Sequence, residues 1–395
     1  MSALWTTALP TGVFAVCAAL IAFAYVGYPL AMLAMARWRP CPLDPLPWTP
    51  RMDVLLVVHN GAAQLADKLH NLLALDYPAH QLRIHVVCDG CDDDSERIAR
   101  GFDDARIHVH AFAERRGKSA CIARMLPQLD AALVLFCDVR QRVDTGAARA
   151  LAAILADPDV GAVSGELVLE ARNGYGRGVD AYWRYEKLIR RLESASGSIV
   201  GVTGALYRAR REALSTVPAG VVLHHMWIPL GVTAGGYRVV FTEQARAHDL
   251  ASDAPADEER RKRRTLAGNF QLLRLWPQLA LPGAHPLAWR LWGHKWLRLL
   301  VPWCLLAMLA SNLVLVAGGA TPPAFWIAAL VAQLAAYALA LWGRRRPALA
   351  TRLWPVRVAT AFFSLNYAAA LALVDFLRDR DAHLWRPTPD QSLAP

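Results

Sequence analysis

Long apolar runs stand near both ends of the chain, and a mixed apolar and polar pattern lies between them. Residues 11–38 carry no charge before Arg37, and roughly 20 such residues suffice to cross a bilayer core of about 30 Å. Further apolar runs lie near the C-terminus at 299–318, 324–342 and 354–377. The pattern predicts an N-terminal transmembrane helix at 11–38 and two to three transmembrane helices within 299–377.

Residues 285–298, directly before the second run, combine aromatic and basic side chains. Trp289, Trp292 and Trp296 follow one another at spacings of three and four, which places them on one face of a helix. Tryptophans beside basic residues are typical of a helix at the lipid headgroups. We predict an interfacial amphipathic helix at 285–298.

The middle segment alternates between strand-like and helix-like patterns. In order these are "DVLLVVH", "AAQLADKLHNLLALD", "RIHVVCDG", "DSERIARGF" and "ARIHVHAF". Strands separated by helices predict a mostly parallel sheet with helices on both faces. We therefore expect an α/β domain at 50–282, connected to the first transmembrane helix by a proline-rich linker.

Composition agrees with a membrane protein. Apolar residues make up 55% of the 395 residues, and the mean hydropathy is positive at +0.23. The net charge of +10 could suggest a nucleic-acid partner, but the arginines cluster at the ends of the apolar runs. Attraction to an anionic lipid leaflet explains this placement better, so we expect a membrane partner and no nucleic acid.

Basic residues also predict orientation, because they flank transmembrane helices on the cytoplasmic side. Arg37, Lys295 and the arginines at 344–346 can all be cytoplasmic together. This places the middle domain in the cytoplasm and the protein in the inner membrane, crossing it several times. The seven cysteines, an odd number, fit a reducing compartment.

Polar residues with chemical potential follow the predicted strands. Asp89 ends one strand, Asp138 and Arg140 follow another, and Lys118 begins a helix after two arginines. Ligands of open α/β sheets bind beyond the carboxyl ends of the strands. Carboxylates there suit ribose hydroxyls or a hard cation, and Gly-Lys at a helix start suits phosphate. Together these residues indicate a nucleotide site.

From about Met52 to Leu273, the sequence resembles the membrane-bound family 2 glycosyltransferases, the type that includes polysaccharide synthases. The segments that carry the resemblance are "DVLLVVHNG", "VVCDGCDDDS", "RRGKSACIARML", "LVLFCDVRQRVD", "GAVSGELVLE", "YWRYEKLIRR" and "GVTGALYRARREAL". The resemblance implies the GT-A fold, a Rossmann-like α/β domain that binds nucleotide-diphosphate sugars. That domain would be inserted between the N-terminal transmembrane helix and a C-terminal helical membrane domain.

The resemblance also implies roles for single residues in binding the nucleotide sugar. Asn60 lies in the turn after the first strand, Asp89 would contact the nucleoside, and Lys118 would lie near the nucleotide. Asp138 would hold Mg²⁺ or Mn²⁺ against the diphosphate, where a cation stabilises the charge that develops on the leaving group. Arg140 replaces the second aspartate of the D-x-D motif; it could neutralise phosphate but cannot bind a metal.

A basic run, "RKRRTLAG" at 261–268, occupies the place of the family's Q-x-x-R-W motif. Arg264 retains the motif's arginine and is a candidate clamp for the diphosphate, with Arg261 in place of the glutamine and Thr265 in place of the tryptophan. Loss of the tryptophan weakens the expectation of processive polymerisation. The alternative is a solvated basic helix beside the membrane.

His224 and His225 stand where the family has two carboxylates, the second of which is expected to act as general base. An imidazole can take that role in its neutral form. A nearby cation favours the neutral form and a nearby phosphate favours the protonated form. The alternatives are a histidine metal ligand, or polar residues left behind after loss of catalysis.

Two functional hypotheses follow. The first is an inverting glycosyltransferase that moves a sugar from a nucleotide-diphosphate sugar, UDP-linked by family precedent, to a lipid-linked glycan or a growing polysaccharide. The second is a catalytically inactive relative that acts as a subunit of a polysaccharide synthase complex. The changes at Arg140 and at the histidine pair motivate the second hypothesis.

Overall fold

The structure, a computed structural model, describes residues 2–170, 177–250, 255–346 and 353–378. The helices are α1 Ser2–Ala22, α2 Tyr28–Trp38, α3 Ala62–Leu73, α4 Ser95–Arg100, α5 Lys118–Met125, α6 Ala147–Ile154, α7 Arg177–Ala195, α8 His224–Ala234, α9 Pro255–Leu275, α10 Ala288–Leu291, α11 Leu297–Ala317, α12 Pro323–Arg345 and α13 Trp354–Arg378. The strands are β1 Met52–Val58, β2 Leu82–Asp89, β3 Ile107–Phe112, β4 Leu133–Cys137, β5 Arg142–Val143, β6 Val160–Glu170, β7 Leu206–Arg210 and β8 Arg238–Leu250.

The eight strands form one sheet in the order β3-β2-β1-β4-β7-β6-β8-β5. The half that contains β1 to β4 is parallel, as the alternation of strands and helices predicted. The other half is mixed, because β7 is antiparallel to both β4 and β6, while β6 and β8 are parallel. The sheet is therefore less uniformly parallel than the sequence suggested.

The central strands are buried on both faces. Every residue of β4 is buried, and in β1 all but one, since one apolar cluster with α3 and α6 covers one face and another with α5 covers the opposite face. This explains why these strands are continuous apolar runs and do not alternate. The carboxyl ends of β1, β2 and β4 meet at one edge of the sheet, where the predicted nucleotide site lies.

Within the described ranges, four helical stretches are long and apolar enough to cross a membrane, at Thr7–Trp38, Ala288–Ala317, Pro323–Arg345 and Trp354–Arg378. The first and second of these each contain a π-helical turn, at Phe23–Gly27 and Trp292–Trp296. The two stretches pack together, and Gly293 lies so close to the ring of Tyr28 that a side chain at position 293 would collide with it.

The interfacial helix expected at 285–298 is not separate in the structure. From Ala288 it continues through the π-helical turn into α11. Arg290, His294 and Arg298 in this stretch are buried and contact α7. Their partners are protein groups, which the sequence pattern did not indicate.

Candidate active site

Three of the residues expected at the nucleotide site meet at the carboxyl edge of the sheet. Asp89 is the last residue of β2, Asp138 directly follows β4, and Lys118 begins α5. The parallel register of β1 with both β2 and β4 brings these strand ends together. The predicted juxtaposition is therefore present.

Asp89 fixes the loop that leads to α5. It is 2% exposed, and its two carboxylate oxygens accept hydrogen bonds from the amide nitrogens of Arg116 at 2.7 Å and Gly117 at 2.8 Å. The next residue, Gly90, has φ of +57°, and a Cβ there would collide with the backbone of Arg115. The Asp-Gly pair thus holds this loop against the strand end, which positions Lys118.

Asn60 has a similar structural task. It is the one non-glycine residue with a positive φ, +50°, in the described part of the chain, and asparagine tolerates this conformation well. Its Oδ1 accepts a hydrogen bond from the amide nitrogen of Asp92 at 2.9 Å. Asn60 therefore ties the β1–α3 turn to the loop that follows Asp89.

Lys118 and Asp138 form an ion pair, in which Lys118 Nζ donates to Asp138 Oδ1. The Asp138 side chain is 40% exposed, and its other oxygen lies towards Gly204. The pair therefore puts a partly exposed carboxylate beside an ammonium at the edge of the sheet.

Arg140, which stands in place of a second aspartate, forms an ion pair with Asp249. Its Nη2 lies 2.6 Å from Oδ2 of Asp249, a carboxylate with a side-chain exposure of only 2%. Gln141 donates to the same oxygen at 2.9 Å. Arg140 therefore neutralises a buried carboxylate at the end of β8, and this structural need explains a cation at that position.

The histidine pair begins α8. The loop before it is held by hydrogen bonds with side chains of α5 and α9. Ser119 Oγ of α5 donates to the carbonyl oxygen of Val221 at 2.5 Å. From α9, Gln271 accepts from the amide of Val222 at 2.8 Å and donates to the carbonyl of Gly220 at 2.8 Å. These three contacts fix the entry to α8, and with it the position of both imidazoles.

Both histidines face Asp138 across Gly204. From the point where a Cβ of Gly204 would lie, Asp138 Oδ2 and His225 Nδ1 are each 3.9 Å away, and His224 Nε2 is 4.0 Å away. The two imidazole rings are nearly perpendicular, with centroids 5.4 Å apart. The absence of a side chain at Gly204 leaves room between a carboxylate and two imidazoles.

Burial and nearby cations keep both imidazoles neutral. Burial, followed by Lys118, holds the pKa of His224 well below its ordinary value. Burial, followed by Arg190 of α7, lowers the pKa of His225 to about 4, although Asp138 acts in the opposite direction. At neutral pH the pair therefore consists of two uncharged imidazoles, each with a nitrogen lone pair available.

The basic helix α9 brings Arg264 to the site. Arg264 lies close enough to Asp138 and His224 to interact with both electrostatically, and burial lowers its pKa. Arg261, three residues earlier, is exposed. Arg263 on the same helix pairs with Asp375 of α13 at 2.6 Å, so α9 joins the α/β domain to the last apolar helix.

The donor atoms around Gly204 are suited to a divalent cation by their chemistry. One carboxylate oxygen and two neutral imidazole nitrogens suit a transition-metal ion better than Mg²⁺, which prefers oxygen ligands. His224 Nε2 is buried and has no hydrogen-bond partner among the described residues. In the described ranges, no three such side chains already lie close enough to hold an ion.

Several residues that build this site have no signal in the sequence pattern. Ser119 and Gln271 hold the loop that precedes the two histidines. Asp249 forms an ion pair with Arg140. Arg190 acts on His225 from α7. Each is an ordinary polar residue far in sequence from its partner, so no local spacing reveals it.

The fold is that of a nucleotide-sugar transferase. The family model described as glycosyltransferase like family 2 matches residues 50–264, which is more than half of the chain. The protein therefore belongs to that family, which confirms the family and the enzyme class that the sequence predicted.

Known proteins that resemble this chain include two glycosyltransferases. The structure of the mannosyltransferase PcManGT from Pyrobaculum calidifontis, in complex with GDP-Man and Mn²⁺, is similar with a TM-score of 0.69 and 25% identity, covering 93% of this chain and 99% of that one. An N-acetylglucosaminyltransferase from Azorhizobium caulinodans is 28% identical over 183 residues, 45% of this chain and 46% of that protein. The chain thus spans about half the length of that relative. The predicted GT-A fold is confirmed.

Proposed function

We propose that this protein is an inverting glycosyltransferase that moves a sugar from a nucleotide-diphosphate sugar to a membrane-associated acceptor. The observation that carries the proposal is the meeting of Lys118, Asp138 and the histidine pair around Gly204. In this proposal, Lys118 and Asp138 would bind the diphosphate of the donor. A neutral histidine, His225, would be the base.

The donor side consists of Lys118, Asp138 and Arg264. Lys118 and Arg264 would balance the charge that the diphosphate gathers as the sugar leaves. Asp138, with His224 beside it, would hold a divalent cation, which stabilises the same charge when bound. GDP-mannose and Mn²⁺ in the structural relative support a nucleotide sugar and a divalent cation here; a UDP-sugar remains the alternative donor.

On the acceptor side, His225 is the proposed general base. A carboxylate, which the family uses at this place, has an ordinary pKa of about 4, and the pKa of His225 is also about 4. His225 therefore matches the base strength of the carboxylate it replaces. It would take the proton of the attacking hydroxyl while the anomeric carbon inverts in a single displacement.

The proposed reaction takes place at a membrane. Four helical stretches in the described part of the chain can cross a bilayer, and basic residues at their ends support a cytoplasmic catalytic domain in the inner membrane. These four helices leave little material for a wide channel. We therefore favour single transfer to a lipid-linked acceptor over synthesis and export of a polymer, and Thr265 in place of the motif tryptophan agrees with this.

The test is release of nucleoside diphosphate by the detergent-purified full chain. The donors are GDP-, UDP- and TDP-sugars, each with native lipid extract and either Mn²⁺ or Mg²⁺. Turnover with one donor, dependent on the lipid extract, is the expected result. Nucleotide binding without turnover for every donor would instead support the inactive subunit of a synthase complex.

A further inference from the structure

The last apolar helix, α13, begins against the final turn of α12. Gly343 of α12 lies so close to Val356 and Thr360 that a side chain at position 343 would collide with both. The guanidinium of the next residue, Arg344, lies 5.1 Å from the centroid of the Tyr367 ring. The first half of α13 therefore packs against the C-terminal end of α12.

The other end of α13 packs on α9, the helix that brings Arg264 to the active site. The guanidinium of Arg263 donates to both carboxylate oxygens of Asp375, at 2.9 and 2.6 Å. The ring centroids of Phe270 and Phe376 are 6.0 Å apart. Because α9 also holds the loop before the histidine pair, it belongs to the catalytic domain, and α13 ends on that domain.

The end of α12 and the end of α13 contact neighbouring turns of α9. Nη2 of Arg344 lies 3.7 Å from Oε2 of Glu259, and Glu259 precedes Arg263, the partner of Asp375, by four residues. From Val356 to Asp375, however, α13 extends about 28 Å at a rise of 1.5 Å per residue, close to the roughly 30 Å of a bilayer core. A helix that crossed the membrane from the end of α12 would carry Asp375 to the opposite surface, away from α9.

The middle of α13 also contacts a residue at the level of the catalytic domain. The ring centroids of Phe362 and Tyr25 are 5.2 Å apart, and Asn366 Nδ2 donates to Tyr25 Oη at 3.4 Å. The carbonyl oxygen of Tyr25 in turn accepts a hydrogen bond at 2.9 Å from Tyr185 of α7, a helix that packs against β8. The start, the middle and the end of α13 therefore all lie on the side of the membrane helices that the catalytic domain occupies.

The sequence of α13 suits such a position. Polar residues recur at spacings of three, four or eight along one side of the helix: Arg357, Thr360, Ser364, Tyr367, Asp375 and Arg378. On the neighbouring side of its first turns, Trp354 and Val358 are 69% and 55% exposed. Exposed tryptophan and aliphatic side chains beside arginines are typical of a helix at the lipid headgroups.

We infer that α13 is an interfacial helix, which lies on the bilayer leaflet next to the catalytic domain and does not cross the membrane. Its partner is the lipid surface: Trp354 and Val358 would enter the boundary between headgroups and acyl chains, and Arg357 and Arg378 would remain among the headgroups. Of the four apolar stretches in the described ranges, three would then cross the membrane.

The distribution of basic residues agrees with this position. The arginines at 344–346 end α12, and Arg378 ends α13. Basic residues prefer the cytoplasmic side of a membrane, and an interfacial α13 leaves both groups on one side, whereas a crossing α13 would separate them. This position of α13 is independent of the proposed function, since it requires no turnover.

The test measures how deep α13 lies in the bilayer, with the full chain in lipid nanodiscs. Cys41 and Cys91, the two cysteines that are not buried, are replaced by serine so that one new cysteine can carry an environment-sensitive fluorophore. Exposed positions near the start, the middle and the end of α13 are labelled, with one in the middle of α11 as the matched control for a crossing helix: Val358→Cys, Tyr367→Cys, Leu377→Cys and Leu306→Cys. Quenching is compared between lipids that carry a nitroxide near the headgroup and lipids that carry it deep in the acyl chain.

We expect the shallow nitroxide to quench more strongly than the deep one at all three positions of α13, and the opposite order at Leu306→Cys. A crossing helix would place Tyr367→Cys near the centre of the bilayer, so stronger quenching there by the deep nitroxide would overturn the inference. Absence of quenching by either nitroxide at Val358→Cys would also overturn it, because the exposed side would then be covered by another protein surface.

A second measurement keeps the native cysteines and the sequence of α13. A protease recognition sequence is inserted after Arg378 in one variant and after Gly319, in the turn between α11 and α12, in another. We expect the protease to reach the two sites from opposite faces of oriented membrane vesicles. Cleavage of both sites from the same face would contradict an interfacial α13, whether or not the protein transfers sugar.

Discussion

The amide nitrogen of Val202 donates a hydrogen bond to the carbonyl oxygen of His225 at 2.9 Å. This bond joins the loop before β7, which contains Gly204, to the first turn of α8. The backbone at His225 is thereby held beside Gly204 independently of the side chain it carries. The identity of that side chain can therefore be tested without moving the backbone that positions it.

Activity should persist to lower pH than an ordinary histidine base would allow. The neutral form of His225 is the active base, and its pKa of about 4 keeps it neutral throughout the neutral range. We expect kcat/KM to be nearly constant from about pH 8 to pH 5.5 and to fall as pH approaches 4 and the imidazole protonates. An inflection near pH 6.5, the ordinary histidine value, would contradict this.

Removal of the Asp138 carboxylate should weaken metal binding. Asp138→Asn keeps the size of the side chain but loses the anionic oxygen, so we expect Mn²⁺ affinity in the presence of a nucleoside diphosphate to fall about tenfold or more. Electron paramagnetic resonance of free Mn²⁺ measures this binding directly. Asp130→Asn, at an exposed carboxylate, is the control. Equal affinity in both variants would remove Asp138 from the metal site.

Arg140→Asp, which would recreate the D-x-D motif, should destabilise the protein. It places a carboxylate beside the buried Asp249 and removes the guanidinium that neutralises it. Because Arg140 itself is half exposed, we expect a loss of about 1–3 kcal/mol in the free energy of unfolding, measured from denaturant or thermal unfolding. Adding Asp249→Asn should restore most of that loss. If Arg140→Asp has the same free energy of unfolding as wild type, Asp249 does not need a counter-ion.

Glu193→Gln should weaken the junction between α7 and the membrane helices. Glu193 is fully buried, and its carboxylate binds both Tyr28 and His294. Removing one partner of a buried charged network typically costs about 3–5 kcal/mol, so the Tm should drop by several degrees. Glu243→Gln removes a more exposed carboxylate and should change Tm little. Similar Tm values for the two variants would contradict a stabilising role of the junction.

The sequence predicted those parts of the site that depend on local pattern. Asp89, Lys118 and Asp138 were expected together because strand ends in a parallel sheet share an edge, and the structure places them so. The partnership of Arg140 with Asp249 was not predictable, since the two are far apart in sequence and Asp249 has no local signature. An interfacial helix was predicted at 285–298, and the structure joins this stretch to α11. The contacts of its His294 and Arg298 with glutamates of α7 were not predictable, since the sequence pattern does not connect the two segments.

The central claim is that the histidine pair supports sugar transfer, and one comparison of variants tests it most directly. Single-turnover release of nucleoside diphosphate would be measured for wild type, His225→Ala and His225→Asp at saturating donor and acceptor. We predict a loss of about 10²–10⁴-fold in His225→Ala, the usual contribution of a general base. His225→Asp, with a base of similar strength, should retain most of the rate. Equal rates in wild type and His225→Ala would contradict the account of the histidine pair.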